Sequence, residues 1–303
     1  EEGQMILTYY KAANFGDAIN PLVFEHFLPN FFDDDPVLLF YGIDSILGFE
    51  RPFEKTRKII VFSSGFAYDQ PPILDQRYDI RCVRGPLTAR SLNIDASKGV
   101  ADGALLLQYI PAFSDKQEKK YKFSYIPHHV SEKMFDGWND VLEPLGIHYI
   151  SPAGNPVQVI NEIRQSECIL AEAMHAAIIA DTFRVPWIPV KMFLHINNFK
   201  WLDWMLSLQI AEAYNPYSLR RVYNNEWIKK IIKNKTLLSE NTLMNDALSS
   251  VYQKIQKSVV QEKLHHQLRQ IMMSKPFLSK QEVLSDKQHQ LLEIIEGIKR
   301  DYS

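Results

Sequence analysis

The residues best suited to chemistry are a few histidines, one arginine and a polar turn. His175 opens an otherwise apolar segment, Met174 to Ala180, and an imidazole titrates near neutral pH, so it can both give and take a proton. The competing reading of a lone histidine in such a segment is a satisfied core residue. Arg84, in Arg84-Gly85-Pro86, stands just before helical Leu87 to Leu92. A helix start favours an anion through its unpaired N–H groups and its dipole, and a guanidinium adds bidentate recognition of phosphate or carboxylate. Its alternative is a surface ion pair. His128 and His129 follow Pro127 at the end of an apolar run. Neighbours on an extended chain point to opposite sides and no third ligand lies at helical spacing, which argues against a metal. Asn14, Gly16 and Asp17 form a turn that lets a ligand approach the backbone, without the full Gly-x-Gly-x-x-Gly dinucleotide pattern. The phosphate-binding Gly-x-x-x-x-Gly-Lys loop, the Gly-x-Ser-x-Gly elbow and a zinc-type cysteine cluster are missing from the sequence as well.

What must position these residues is an α/β framework. The 303 residues exceed the usual size of one core, so two domains are expected. With 46% hydrophobic and 23% charged residues the composition is that of a globular chain. A net charge of -2 gives no general reason to bind nucleic acid. Cys82 and Cys168 sit in short apolar runs, which suits buried thiols in a reducing compartment. No run approaches the roughly 18 apolar residues of a membrane span, and Glu1 to Met5 carries no signal-peptide pattern. The expected location is the cytoplasm, with peripheral contact at the inner face of the membrane left open.

Short apolar runs alternate with amphipathic stretches, as in strand-loop-helix units of a parallel sheet. Strands are predicted at Met5 to Tyr10, Leu38 to Tyr41, Lys58 to Phe62 and Ile80 to Val83, with a helix from Asn20 to Phe27 whose first turn holds Pro21. The charged stretch Ser114 to Lys122 reads as a linker. A second series follows: strands at Phe123 to Ile126, His148 to Ile150, Cys168 to Leu170 and Trp187 to Val190, and helices at Ser131 to Trp138, Val157 to Gln165 and Glu172 to Thr182. The expected architecture is two Rossmann-like open sheets facing a cleft, in residues 5–115 and 121–222, with a helical C-terminal region in 223–303. That region is Lys- and Gln-rich, and the sequence does not choose between packing over both domains and self-association. Its Lys229, Lys230, Lys233 and Lys235 read either as an anionic-lipid contact or as a solvated face. Ligands of open α/β sheets bind beyond the carboxyl ends of the strands. This selects Asn14 to Asp17, Ser63-Ser64-Gly65, Arg84-Gly85-Pro86, Asp102-Gly103, His128-His129 and Glu172 to His175.

Taken in order, Tyr9-Tyr10 with Asn14-Phe15-Gly16-Asp17 and Asn20, Ser64-Gly65-Phe66, Val83 to Thr88, Ala101-Asp102-Gly103, Pro127-His128-His129, and Ala171 to Ala176 through Val185-Pro186-Trp187 resemble the polysaccharide pyruvyl transferases, in particular the ketal-pyruvate transferases of exopolysaccharide assembly. The resemblance covers about Met5 to Lys191. It implies a GT-B-like fold, phosphoenolpyruvate as donor, no metal or other cofactor, and a sugar acceptor, often lipid-linked. Arg84 matches a donor-binding arginine, and His175 the histidine of an Arg-Leu-His segment that here reads Ala173-Met174-His175. The second donor arginine is thus absent at Ala173; Lys191, Arg184 or a histidine of Pro127-His128-His129 are the candidates to replace its charge.

On that basis His175 and Arg84 are the expected catalytic pair, with Asn14, Gly16, Asp17, Ser64, Gly65, Gly85, Asp102, His128, His129, Glu172, Met174 and Lys191 binding substrate. Arg84 and a helix N-terminus would hold phosphoenolpyruvate. His175 would protonate the vinyl carbon and then act as base, with Glu172 either orienting its ring or complementing the helix dipole. The rival readings are a glycosyltransferase using a nucleotide sugar and a non-catalytic two-lobed sugar-binding protein. Phe66, Tyr68, Trp138, Trp201 and Trp204 are candidates for stacking on sugar faces, against the commoner core role.

Overall fold

The computed structural model describes residues 5–48, 52–67, 70–210, 214–235 and 242–303. Strands β1 (Ile6–Thr8), β2 (Leu38–Tyr41), β3 (Lys58–Ser64) and β4 (Tyr78–Val83) pair in parallel in that order. Phe40, Ile60, Phe62 and Cys82 enter a central core, while Leu39, Tyr41, Ile59, Val61 and Val83 enter an outer one. That alternation explains why these strands read as continuous apolar runs: side chains point to both faces, and both are covered.

Helix α1 (Phe15–Phe27) begins earlier than expected, because the Asn14 side chain caps it by accepting from the Gly16 N–H. Pro21 therefore lies inside the helix instead of in its first turn. The ring leaves the Asp17 carbonyl without its usual donor, and the Asn20 side chain supplies one, Nδ2 to O at 2.8 Å. The same amide exchanges two hydrogen bonds with the Ile43 backbone, at 2.6 and 2.8 Å. It thereby ties α1 to the loop after β2.

The second sheet runs β6-β5-β7-β8-β9, with β5 (Tyr121–Ile126), β6 (Ile147–Tyr149), β7 (Ser166–Ala171), β8 (Trp187–Lys191) and β9 (Tyr217–Ser218), again all parallel. The chain goes from β5 outward to β6 and back past β5 to β7. The strand order reverses there, and the carboxyl ends of β5 and β7 flank the crevice where such sheets take ligands. Helices α5 (Pro156–Arg164), α6 (Met174–Thr182) and α7 (Asn198–Ser207) fill the crossovers of this sheet, while α2 (Pro86–Ser91) follows β4 of the first. The helix expected over Ser131 to Trp138 is two: α3 (His129–Met134) ends at Phe135, and α4 (Trp138–Leu142) starts after Gly137. The result is an α/β chain with two parallel sheets.

The C-terminal helices α8 (Asn225–Lys235), α9 (Thr242–Ile255), α10 (Gln261–Met272) and α11 (Gln281–Tyr302) divide between the sheets. Leu264, Leu268 and Ile271 of α10 join the core of the second sheet. Leu284, Leu291, Ile295 and Ile298 of α11 join the central core with Phe40 and Phe62 of the first. At roughly 1.5–3 kcal/mol per fully buried aliphatic side chain, these four are worth on the order of 6–12 kcal/mol, comparable to the net stability of a domain. No helix among the described residues is long and apolar enough to cross a membrane.

Candidate active site

A cleft of about 370 Å³ opens between the carboxyl ends of the two sheets. Its walls come from the loop after β1 and the start of α1 (Tyr10, Asn14, Asp17), the loop after β2 (Asp44, Ser45), the junctions after β5 (His128, His129) and β7 (Met174, His175), and the stretch from β8 into α7 (His195, Lys200, Trp201). Every wall is a strand-end loop or the helix start beyond it.

His175 sits in the first turn of α6 with its Nε2 3.6 Å from Asp102 Oδ2. Asp102 is the N-cap of the short 3-10 turn after Ala101, its Oδ1 accepting from the Ala104 N–H at 2.9 Å, so its other oxygen is aimed at the ring. Burial alone would raise the Asp102 carboxyl, but His175, the Ala104 N–H and Arg84 together hold it below its ordinary value. A carboxylate at this distance behind an imidazole limits how the ring can turn. Gly16 packs against the ring, and a Cβ there would collide with it. The first sheet thus orients a histidine that the second sheet presents.

Opposite lie three imidazoles. His128 and His129 have ring centroids 4.3 Å apart, and His195 lies 4.9 Å from His128. The expectation that the adjacent pair point apart is corrected: they are the N-cap and first residue of α3, not an extended pair. Burial, reinforced by His129 and then His195, drives His128 down to about 2. Burial and then His129 bring His195 to about 4, and His129 is lowered too. Glu132 and Asp44 offset these costs only in part, and only at His129, so the cluster is held toward its neutral form, and an anion among the rings would favour their protonation. Among the described residues no group of three or more His, Cys, Asp or Glu side chains is arranged to hold a metal ion.

Arg84 is placed differently from expectation. Its side chain is 1% exposed, is not among the cleft-lining residues, and bonds Asp203 (Nε to Oδ2, 3.2 Å), Ser45 (Nη1 to Oγ, 2.6 Å) and the Phe66 carbonyl (Nη2, 3.2 Å). The anion at the start of α2 is also Asp203, which accepts from the N–H groups of Leu87 and Thr88 at 2.9 Å and from the Thr88 hydroxyl at 2.5 Å. The position read as a ligand site is filled by a carboxylate from α7. Gly85 and Gly65 make the room, since a Cβ at Gly85 would strike Asp203 and one at Gly65 the guanidinium. Among the described residues Arg84 bonds the cleft lining through Ser45.

Several other expected binding residues also act from behind. Ser63 has φ 68° at a bulge in β3, which turns Ser64 and the Gly65 N–H onto the Asp44 carbonyl, at 3.4 and 2.7 Å. Glu172 is buried and does not orient His175; its two oxygens accept from the N–H groups of His128 (3.1 Å) and Met192 (2.9 Å), tying the ends of β5, β7 and β8 together. Burial raises its carboxyl in spite of those donors. Lys191 closes the loop after β8 on the Ile196 carbonyl and Asn198, at 3.3 and 3.4 Å. Arg184 lies beyond the far end of α6, against Asp181 and Ser279. Of the candidates to replace the missing arginine, only His128 and His129 line the cleft.

Trp201 lines the cleft and stacks on Tyr214, centroids 5.5 Å apart. Trp138 and Trp204 are core residues, Phe66 packs edge-on against Phe199, and Tyr68 lies outside the described residues. Sequence reasoning missed Tyr10, Asp44, Ser45, His195 and Lys200. The strand-end rule would have found most of them had it been applied to the loops after β2 and β8.

The chain is thus a parallel α/β protein whose cleft lies at the carboxyl ends of its sheets, with a carboxylate-backed histidine on one wall and three imidazoles on the other. The chain belongs to the polysaccharide pyruvyl transferase family, which it matches over residues 16–191. It is 38% identical over 206 residues to the succinoglycan biosynthesis protein ExoV of Rhizobium meliloti (strain 1021). The alignment covers 67% of this chain and 63% of that protein.

Proposed function

We propose that the chain is a transferase of exopolysaccharide synthesis that moves the enolpyruvyl group of phosphoenolpyruvate onto two hydroxyls of a sugar or lipid-linked oligosaccharide, forming a pyruvate ketal and releasing phosphate. The supporting observation is the meeting in one cleft of the Asp102-backed His175 with His128, His129, His195 and Lys200. A phosphate dianion entering among the imidazoles favours their protonated forms, which supplies the charge that the arginine missing at Ala173 would have brought. Phosphoenolpyruvate is a substrate in this scheme, and no separate cofactor takes part. Arg84 supports the site through Ser45, and the two sheets serve as GT-B-like lobes, 5–115 and 121–222, clasped by the helical region 223–303. Membrane contact and self-association would belong to that helical region. The test is phosphate release from phosphoenolpyruvate with a panel of sugar acceptors, the product being checked by mass for the added ketal. Acceptor-dependent release is expected. Turnover of nucleotide sugars, with none of phosphoenolpyruvate, would replace this proposal by glycosyl transfer.

A further inference from the structure

Two carboxyl groups from separate segments share the wall of the cleft beside His175: Asp17, in the first turn of α1, and Asp44, in the loop after β2. Both are largely buried. Their surroundings separate their roles. Asp44 receives a backbone N–H on each oxygen, from Tyr10 at 2.6 Å and Ser45 at 2.5 Å. Asp17 receives one donor, the Asn14 amide on Oδ2 at 2.8 Å. Among the described residues its Oδ1 has no hydrogen-bond partner. When two carboxyls share a water-poor site they resist being ionised together, and the proton stays on the one with fewer donors. Asp17 is the one with fewer donors, and Oδ1 is its open oxygen.

We infer that Asp17 is the acid that protonates the methylene carbon of the enolpyruvyl donor, which leaves His175 as the base toward the attacking hydroxyl. This rests on the pyruvyl-transfer proposal above. The chemistry balances as follows. The vinyl π pair forms a C–H bond with the Asp17 proton, and the O–H electron pair stays on Asp17 as carboxylate. The adjacent carbon, now oxocarbenium-like, bonds to the first sugar hydroxyl, whose proton passes to His175. The bond from that carbon to the phosphate oxygen then breaks with its electron pair on phosphate as the second hydroxyl closes the ring. The second hydroxyl's proton restores Asp17, and the His175 proton leaves on the phosphate.

The electrostatics agree. Burial first, and Asp44 second, push the Asp17 carboxyl up to about 7, while His175, the Asn14 amide and Lys200 act in the opposite direction. Tyr9 also faces Asp17, and His129 faces Asp44 from the other wall. A carboxyl poised there keeps a protonated fraction near neutral pH and can be reprotonated in the same cycle.

In the full chain with phosphoenolpyruvate and a productive acceptor, Asp17→Asn is expected to lower kcat by about a hundredfold or more, with donor affinity by calorimetry within about threefold of wild type. Asp17→Glu should restore part of the rate. Retention of most of the turnover by Asp17→Asn would overturn the inference. A second measurement does not depend on the variant folding: the wild-type kcat/KM should fall as pH rises through about 7, where Asp17 loses its proton. A rate that stays level on that side overturns the assignment even if Asp17→Asn is inactive. If the wild type releases no phosphate with any acceptor, the failure lies in the pyruvyl-transfer proposal beneath it.

Discussion

Asp203→Ala separates a structural Arg84 from a donor-binding one. In the folded chain Asp203 is fully buried, pairs with the Arg84 guanidinium and accepts from Leu87 N–H, Thr88 N–H and the Thr88 hydroxyl. Removing it leaves an arginine that is 1% exposed without its carboxylate. Breaking a buried pair in this way costs about 3–5 kcal/mol. Uncapping α2 adds about 1 kcal/mol, so the total is about 4–6 kcal/mol against a net stability of about 5–15 kcal/mol. The variant should be close to unfolded at 25 °C or strongly shifted in urea midpoint, read by circular dichroism and tryptophan fluorescence. Arg84→Met on the Asp203→Leu background removes both charges at once, and it should recover about 2–4 kcal/mol because a packed apolar pair replaces a lone buried charge. The single variant Arg84→Met keeps the N–H donors on Asp203 and should alter donor affinity only modestly, through Ser45. Two results would refute this account: a loss below about 1 kcal/mol for Asp203→Ala, or an Arg84→Met protein of unchanged stability whose affinity for phosphoenolpyruvate falls by orders of magnitude. The second would mean that the guanidinium reaches the donor.

Two further predictions concern the two walls of the cleft. His175→Ala should cut kcat by about a hundredfold or more if the imidazole transfers a proton, and Asp102→Asn should lower it in the same direction by less, with circular dichroism unchanged; near-normal turnover in both would remove the pair from the chemistry. His128 and His195, brought down to about 2 and about 4 chiefly by burial, are unprotonated at neutral pH. A bound phosphate raises them, so binding should take up protons and weaken as pH rises through their values in the complex. Calorimetry in buffers of different ionisation enthalpy reads this uptake directly, and zero uptake between pH 6 and 7 would show that the imidazoles do not meet the phosphate.

The sequence by itself determined the element types and the loops in which function sits. β2 runs from Leu38 to Tyr41 as read, and the other expected strands differ at most at their ends, because strands covered on both faces must be continuously apolar. The strand-end rule brought Asn14, Asp17, His128, His129, Met174 and His175 into one cleft, since parallel crossovers put every such loop on the same edge. Boundaries were lost where side chains substituted for backbone partners, as when Asn14 capped α1 early and Asn20 took the carbonyl freed by Pro21. What the tertiary structure alone decided is which charges face the ligand. Arg84 and the start of α2 looked like an anion site and are one, but the anion is Asp203, 119 residues away in sequence. Asp102, expected from its strand-end loop to bind substrate, does not line the cleft and instead backs His175 across the interface between the sheets. The charge an arginine or a histidine carries to a substrate depends on partners within a few ångströms, and those partners come from segments whose distance along the chain sets no limit on their distance in space.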